Sequence, residues 1–290
     1  MTGNQYVWVE VPKTTEVYPT AGLDITEFSD EEYTAIETDL HTYTNDYRNG
    51  TRYKDEYSSD AATGLTSDKY TELKQTMLKS IYQNGGFYVG KYETGIEDTP
   101  KTSGSADTAP TETPVIKQNV YPYNYVTCRQ AQTLANSMES GKYTSSLMFG
   151  VQWDLVLKYL ETKGTSKADL TTDSTEWGNF TNNLYNITNT NSKYSINFGS
   201  SWTDGAYGLK KENTGRLLST GASDSFCKQG IYDFAGNVSE FTLEYSSSNY
   251  FPCVKRGGTC SSNGNLSANY RSNWITTSCI SLYGFRVALY

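Results

Sequence analysis

The chain has 290 residues, enough for one large domain or two small ones. Its net charge of −8 argues against a nucleic-acid partner held through phosphates. No apolar run approaches membrane-spanning length and no signal peptide is visible, so a leader or anchor is expected only outside this chain. The 25 tyrosines outnumber the 24 lysines and arginines together, a balance common on binding faces and in secreted β-rich proteins alike. There are 5 cysteines, none in a C-x-x-C pair, and 1 histidine. That inventory argues against zinc and against a histidine-dependent nucleophile. The odd cysteine count argues against a complete intrachain disulfide framework.

In chain order, Tyr6-Val7-Trp8-Val9-Glu10 is β-branched and aromatic and stops at Pro12, which predicts a strand. Ser29-x-x-Glu32 reads as a capping box for a helix running through Tyr33, Ile36 and Leu40. His41 lies on that helix and is expected to face solvent. A second helix fits Ser67 to Tyr82, with Tyr70, Leu73, Met77 and Ile81 on one face and Asn84-Gly85-Gly86 ending it. The two helices read as an insertion spanning 28–85. Gly86 to Thr94 is a further strand, whose alternation places Lys91 and Glu93 on one face in a pairing or solvated role. Residues 95–118 are rich in Thr, Ser, Pro, Asp and Gly and predict a mobile surface loop.

A third helix follows Thr127, with Ala131, Leu134, Ala135 and Met138 on one face. Cys128 at its N-terminus reads as a small, partly buried side chain. Gly164 to Leu217 predicts long loops with short strands, and no internal repeat or boundary divides the chain.

Three later blocks carry a family resemblance: Gly230-Ile231-Tyr232-Asp233-Phe234-Ala235-Gly236-Asn237-Val238-Ser239-Glu240-Phe241-Thr242, then Arg256-Gly257-Gly258, then Gly284-Phe285-Arg286. They resemble the C-terminal half of the formylglycine-generating-enzyme-like (sulfatase-modifying factor) branch of the C-type lectin fold. The opening strand, the Gly86–Thr94 strand, the segment from Tyr123 into the third helix and the stretch around Trp153 resemble further blocks of it. The stretch around Trp153 lacks the family's leading arginine and proline. The resemblance implies an α+β, C-type-lectin-like fold, one elaborated domain over 1–290 with a helical insertion and long loops.

It also implies an oxidase activity, which the residues disfavour. Aligning Arg256-Gly257-Gly258 and Arg271 with the family pattern puts Ser262 and Ser267 where the copper-binding cysteines belong. Hydroxyls do not replace soft thiolates for Cu(I). Cys260 is close but at another offset, so a non-standard oxidase site is the alternative. Asn237 and Glu240 fall where relatives use an oxygen-rich calcium site; calcium is the one cofactor the resemblance allows, and none is otherwise expected.

Between the last two blocks, Thr259 to Tyr283 contains no Lys, Glu, Asp, Gln, Met, His or Pro. This resembles the variable region of proteins diversified by diversity-generating retroelements, where adenine-specific mutagenesis of Asn codons yields a restricted residue set. The resemblance implies a hypervariable, receptor-binding or adhesin-like protein, extracellular, on a cell surface or on a phage particle. Its expected partner is a protein or glycan on another surface, bound through 256–286. Expected ligand contacts are Cys260, Ser262, Asn263, Asn265, Leu266, Asn269, Tyr270, Asn273, Trp274, Thr277, Ser278, Ile280, Ser281 and Tyr283, all exposed on one face. Ser, Thr and Asn offer adaptable hydrogen bonds, and the aromatics offer area. Arg256, Phe285 and Arg286 are expected as buried scaffold.

Overall fold

The computed structural model describes residues 3–48, 50–139 and 141–290. Strand β1 (Tyr6–Glu10) forms from the β-branched, aromatic run that predicted it. Helix α1 (Asp30–Tyr43) starts at the Ser29–Glu32 capping box, each residue's side chain accepting from the other's backbone N–H. Helix α2 (Ser67–Asn84) is capped by the Thr66 side chain and stops at Gly85, whose φ of 74° is the left-handed conformation glycine adopts without strain. Tyr70, Leu73, Met77 and Ile81 are buried as their spacing requires, joined by Leu78 and Tyr82. The helical segment is tied into the core: the Tyr70 hydroxyl donates to the Leu243 carbonyl at 2.9 Å.

Strand β2 (Gly86–Gly90) pairs antiparallel with β1, and helix α3 (Cys128–Ser137) follows a second capping box, Thr127 with Gln130. Strand β3 (Ser145–Leu147) leads into α4 (Gly150–Thr162), which buries Val151, Trp153, Leu155, Val156, Leu157 and Leu160. Its N-cap residue, Phe149, has no oxygen to offer the free N–H groups of the first turn. Asp55, from the distant helical segment, takes that role: Oδ1 accepts from Gly150 N at 2.6 Å and Oδ2 from Val151 N at 2.9 Å.

Four strands then gather at the C-terminal end: β4 (Ser239–Tyr245), β5 (Cys253–Arg256), β6 (Arg271–Trp274) and β7 (Tyr283–Phe285). They form a sheet in the order β6-β5-β4-β7. The residue pattern predicted antiparallel strands throughout this half. β4–β5 and β5–β6 are antiparallel, but β7 runs parallel to β4. The last strand, β8 (Val287–Leu289), leaves this sheet and inserts between β2 and β3 in a second one, ordered β1-β2-β8-β3. With helices packed on small, separate sheets, the chain is α+β.

The 95–118 segment departs from the mobile loop expected of it. Its ends enter the core, where Ile96, Val115 and Ile116 are buried, and Gln5 N donates to the Ile116 carbonyl. Its middle is held by a Lys101–Glu112 ion pair and by Gln130 Nε2, which donates to the carbonyls of Ser105 and Thr108. Apolar residues at both ends of a polar stretch give it two anchors, and composition alone registers only the polar middle. From 164 to 217 the chain does form long loops with short strands.

Asp55 yields a test. Burial pushes its carboxyl up, but His41 and the two N–H groups of α4 outweigh burial and hold it below the ordinary range. A carboxyl lowered on folding adds stability that is present above its unfolded pKa and is lost as pH falls below it. Asp55→Asn is expected to cost about 1–2 kcal/mol at pH 7. Urea titrations across pH check this; the gap from wild type should close below roughly pH 4.

Candidate functional site: the C-terminal tail

The tail, residues 259–283, hangs between fixed points. Across the sheet Glu240, Arg256 and Arg271 stand side by side. Arg256 NH2 lies 2.9 Å from Asp154 Oδ1, and Arg271 NH2 lies 2.7 and 2.6 Å from the two Asp154 oxygens. Glu244 closes the set, 2.7 Å from Arg271 Nε and 3.3 Å from Arg256 NH1. None of the four side chains is more than 3% exposed. Burial pushes both carboxyls up; the two arginines outweigh it at Glu244, holding it low, and oppose it at Asp154, which stays raised. Arg271 NH1 also donates to the Tyr47 carbonyl at 2.6 Å, so the helical segment shares the network.

A second buried pair fixes the other end of the tail. Arg286 reaches both oxygens of Glu240 at distances from 2.7 to 3.1 Å and donates to the carbonyls of Gly90 and Tyr232. Beside it Asn237 adopts φ 54°, accepts from Asn179 Nδ2 and Leu218 N, and donates to Glu93 at 2.6 Å. The oxygens of Asn237 and Glu240 are therefore engaged by protein donors, which is the work the calcium expectation assigned to an ion. Glu93 is fully buried there, not paired on a solvated strand face with Lys91. Burial, then Asp233 and Glu240, raise its carboxyl, and burial pushes Asp233 up to about 7.

Between these ends the tail follows one irregular path and one strand. Gly257 and Gly258 take φ of 86° and 73°, and a side chain on Gly258 would collide with the Leu266 carbonyl. Residues 260–269 then lie along the 170–183 segment. Thr181 N donates to Ser262 O, Ser174 N to Gly264 O, and Asn269 N to Leu170 O. Trp153 Nε1 holds the Ala268 carbonyl at 3.0 Å. In β6 successive residues alternate faces: Arg271 turns to the ion network, while Ser272 and Trp274 line the opposite face. The return loop is pinned by Tyr125 N to Ile280 O and by Asn124 Nδ2 to Ser281 O.

This path divides the expected contact residues. Asn263, Asn265 and Thr277 are exposed. Ser262, Leu266, Tyr270, Asn273, Trp274, Ser278, Ile280 and Ser281 are half-buried. Three expectations are corrected. Cys260 is wholly buried against Leu217 and Val238. Asn269 is buried because its Oδ1 accepts from both Arg256 and Arg271. Tyr283 is buried because its ring packs edge-on against Trp274 and Phe241. Arg256, Phe285 and Arg286 are fully buried, as expected.

The cysteines occupy separate surroundings. Cys260 belongs to the small Leu217–Val238 cluster, and Cys279 faces Gln130. The Cys128 thiol donates to the Thr242 carbonyl, and Cys253 beside it, together with burial, raises its pKa. A copper pair joining Cys260 to Cys253 or Cys279 does not form, and Ser262 and Ser267 bring no thiolate.

Two features are not legible in the local sequence. His41 is half-buried and meets Asp55 at 3.3 Å, with Glu37 beside it, whereas a solvent-facing residue was expected. Lys74 already holds both Glu37 oxygens, so the cluster is internally satisfied. Lys255 is only 7% exposed and sits on the tail face of the sheet; only its pairing opposite Ser272 reveals this.

No family model and no curated protein matches the chain. Twelve solved chains match, among them Treponema denticola variable protein 1, at 15% identity over 70% of this chain and 84% of that one, with a TM-score of 0.38. A superposition that loose fixes neither fold nor role.

The ion network generates a direct test. Asp154→Asn leaves two buried arginines facing one carboxylate, and is expected to cost about 3–5 kcal/mol. Hydrogen exchange should show β6 and residues 260–270 losing protection before β1 and β2. Uniform loss of protection would mean that the network does not hold the tail specifically.

Proposed function

We propose that this chain is a non-enzymatic ligand-binding protein, the hypervariable target of a diversity-generating retroelement, built as a single C-type-lectin-like domain. What carries the reading is the separation of roles within the tail. The residues that hold it, Arg271 and Asn269, belong to a buried network, while Asn263, Asn265 and Thr277 project outward with little structural duty. Side chains of that kind can change without threatening the core. The restricted composition of 259–283 supports the same reading.

The proposed partner is a protein or glycan on another cell, met outside the cell, on its surface or on a phage particle. The oxidase alternative has Ser262 and Ser267 in place of its thiolates and a cysteine set that the fold keeps apart.

Two measurements test the proposal. Deep sequencing of the 259–283 coding segment in a growing population should find substitutions at adenine-bearing codons for the outward positions. A near-copy of that segment and a reverse transcriptase should lie nearby. Cys260, Asn269, Arg271 and Tyr283 should stay fixed, and variation spread evenly over them, or none at all, sinks the diversification claim. Separately, a triple Asn263→Ala, Asn265→Ala, Thr277→Ala variant should lose surface binding about tenfold with its thermal midpoint unchanged. Undiminished binding would remove the tail as the contact face.

A further inference from the structure

The tail face carries a cation that the protein itself does not neutralise. Lys255 lies on β5 between Phe241 and Ser272, on the face opposite the arginine network. Its ammonium stands 4.5 Å from the centre of the Tyr283 ring and 5.2 Å from that of Trp274. Its one hydrogen-bond acceptor is the Ser272 hydroxyl, and among the described residues no carboxylate pairs with it. A lysine has three donors, and aromatic faces supply attraction but no lone pair. The neighbouring Trp274 Nε1–H is buried and has no acceptor among the described residues either. The arginines of the same sheet, Arg256 and Arg271, are by contrast each paired with two carboxylates. Burial alone pushes Lys255 down to about 8, with no carboxylate offsetting it.

We infer that Lys255, Ser272, Trp274 and Tyr283 form a carboxylate-binding subsite on the tail face, which takes an acidic group of the ligand. A single lysine with neutral donors matches a monoanion, which would complete its shell with charge-assisted hydrogen bonds. A phosphate dianion calls for a second cation, and Arg256 and Arg271 are turned to the other face and engaged there. The same carboxylate can come from an acidic side chain of a protein or from a sugar acid of a glycan. The subsite rests on the reading of the tail as a binding face and names one chemistry that the face selects.

The experiment uses the full chain with carbon-13-labelled lysine and follows the Lys255 side-chain resonance at pH 7. The probes are sodium acetate, N-acetyl-aspartyl amide and glucuronate, each against sodium chloride at equal ionic strength. The expected result is a saturable shift of Lys255 with the carboxylates and none with chloride. Lys255→Met, which removes a desolvated charge and keeps the stem, should melt no lower than wild type and bind the probes at least about tenfold more weakly, as observed through the Trp274 indole resonance. Tighter binding of N-acetyl-aspartyl amide supports a protein carboxylate, and tighter binding of glucuronate supports an acidic glycan. A shift that matches chloride overturns the subsite, and the wild-type resonance alone decides this if the variant does not fold. Should the triple tail variant lose surface binding while Lys255 ignores every carboxylate, the subsite falls and the binding face stands. Should Lys255 bind acetate while the triple variant binds its surface normally, the binding face falls and the subsite stands.

Discussion

Two arginines and two carboxylates share a space from which water is excluded, and the C-terminal half of the molecule is arranged around that fact. Asp154 comes from α4, Glu244 from β4, Arg256 from β5 and Arg271 from β6, so one neutral quartet cross-links a helix and three strands. Such a set adds modest net stability relative to an apolar core, but each member makes loss of any other costly. Its larger effect is geometric. Arg256 and Arg271 hold fixed places at either end of the 257–270 excursion, so that irregular stretch closes on a rigid base without regular structure of its own.

The Arg286–Glu240 pair does the same one layer away. Arg286 sits where the chain passes from β7 in one sheet to β8 in the other, and its guanidinium reaches Glu240, Gly90 and Tyr232 together. Both sheets are therefore referred to one cation. The carboxyls around it, Glu93 and Asp233, are raised by burial and by one another, with Asn237 and backbone donors satisfying their oxygens. In a catalytic cleft, shifted carboxyls of this kind would suggest acid–base chemistry; here they are enclosed, with less than 4% exposure each, and serve the corner of the fold.

Strand alternation turns these anchors into a face. Arg271 points to the quartet, so Ser272 and Trp274 are committed to the other side, where Lys255 and Tyr283 meet them. Tyr283 was expected among the free contacts, yet as a wall of that cluster it is packed by Phe241 and Trp274. The most exposed large apolar side chains lie off the tail, at Tyr250, Ile196, Leu209 and Leu184.

What the sequence determined by itself is local, or follows from local pattern. Capping boxes at Ser29 and Thr127, the helical face of Tyr70, Leu73, Met77 and Ile81, and the glycine stop at Gly85 are short-range effects of hydrogen bonding and period. The distinctive composition of 259–283 was equally legible, as was the burial of Arg256, Phe285 and Arg286. Tertiary structure decided what depends on partners far along the chain. Asp55 caps a helix 95 residues away, Asn269 turns inward because two arginines need its oxygen, and the 95–118 segment is pinned at both ends. Tail composition could say that these residues are small and polar; only the register of β5 against β6 could say which of them face the ion network and which face outward. A one-residue shift of that register would exchange the two sets.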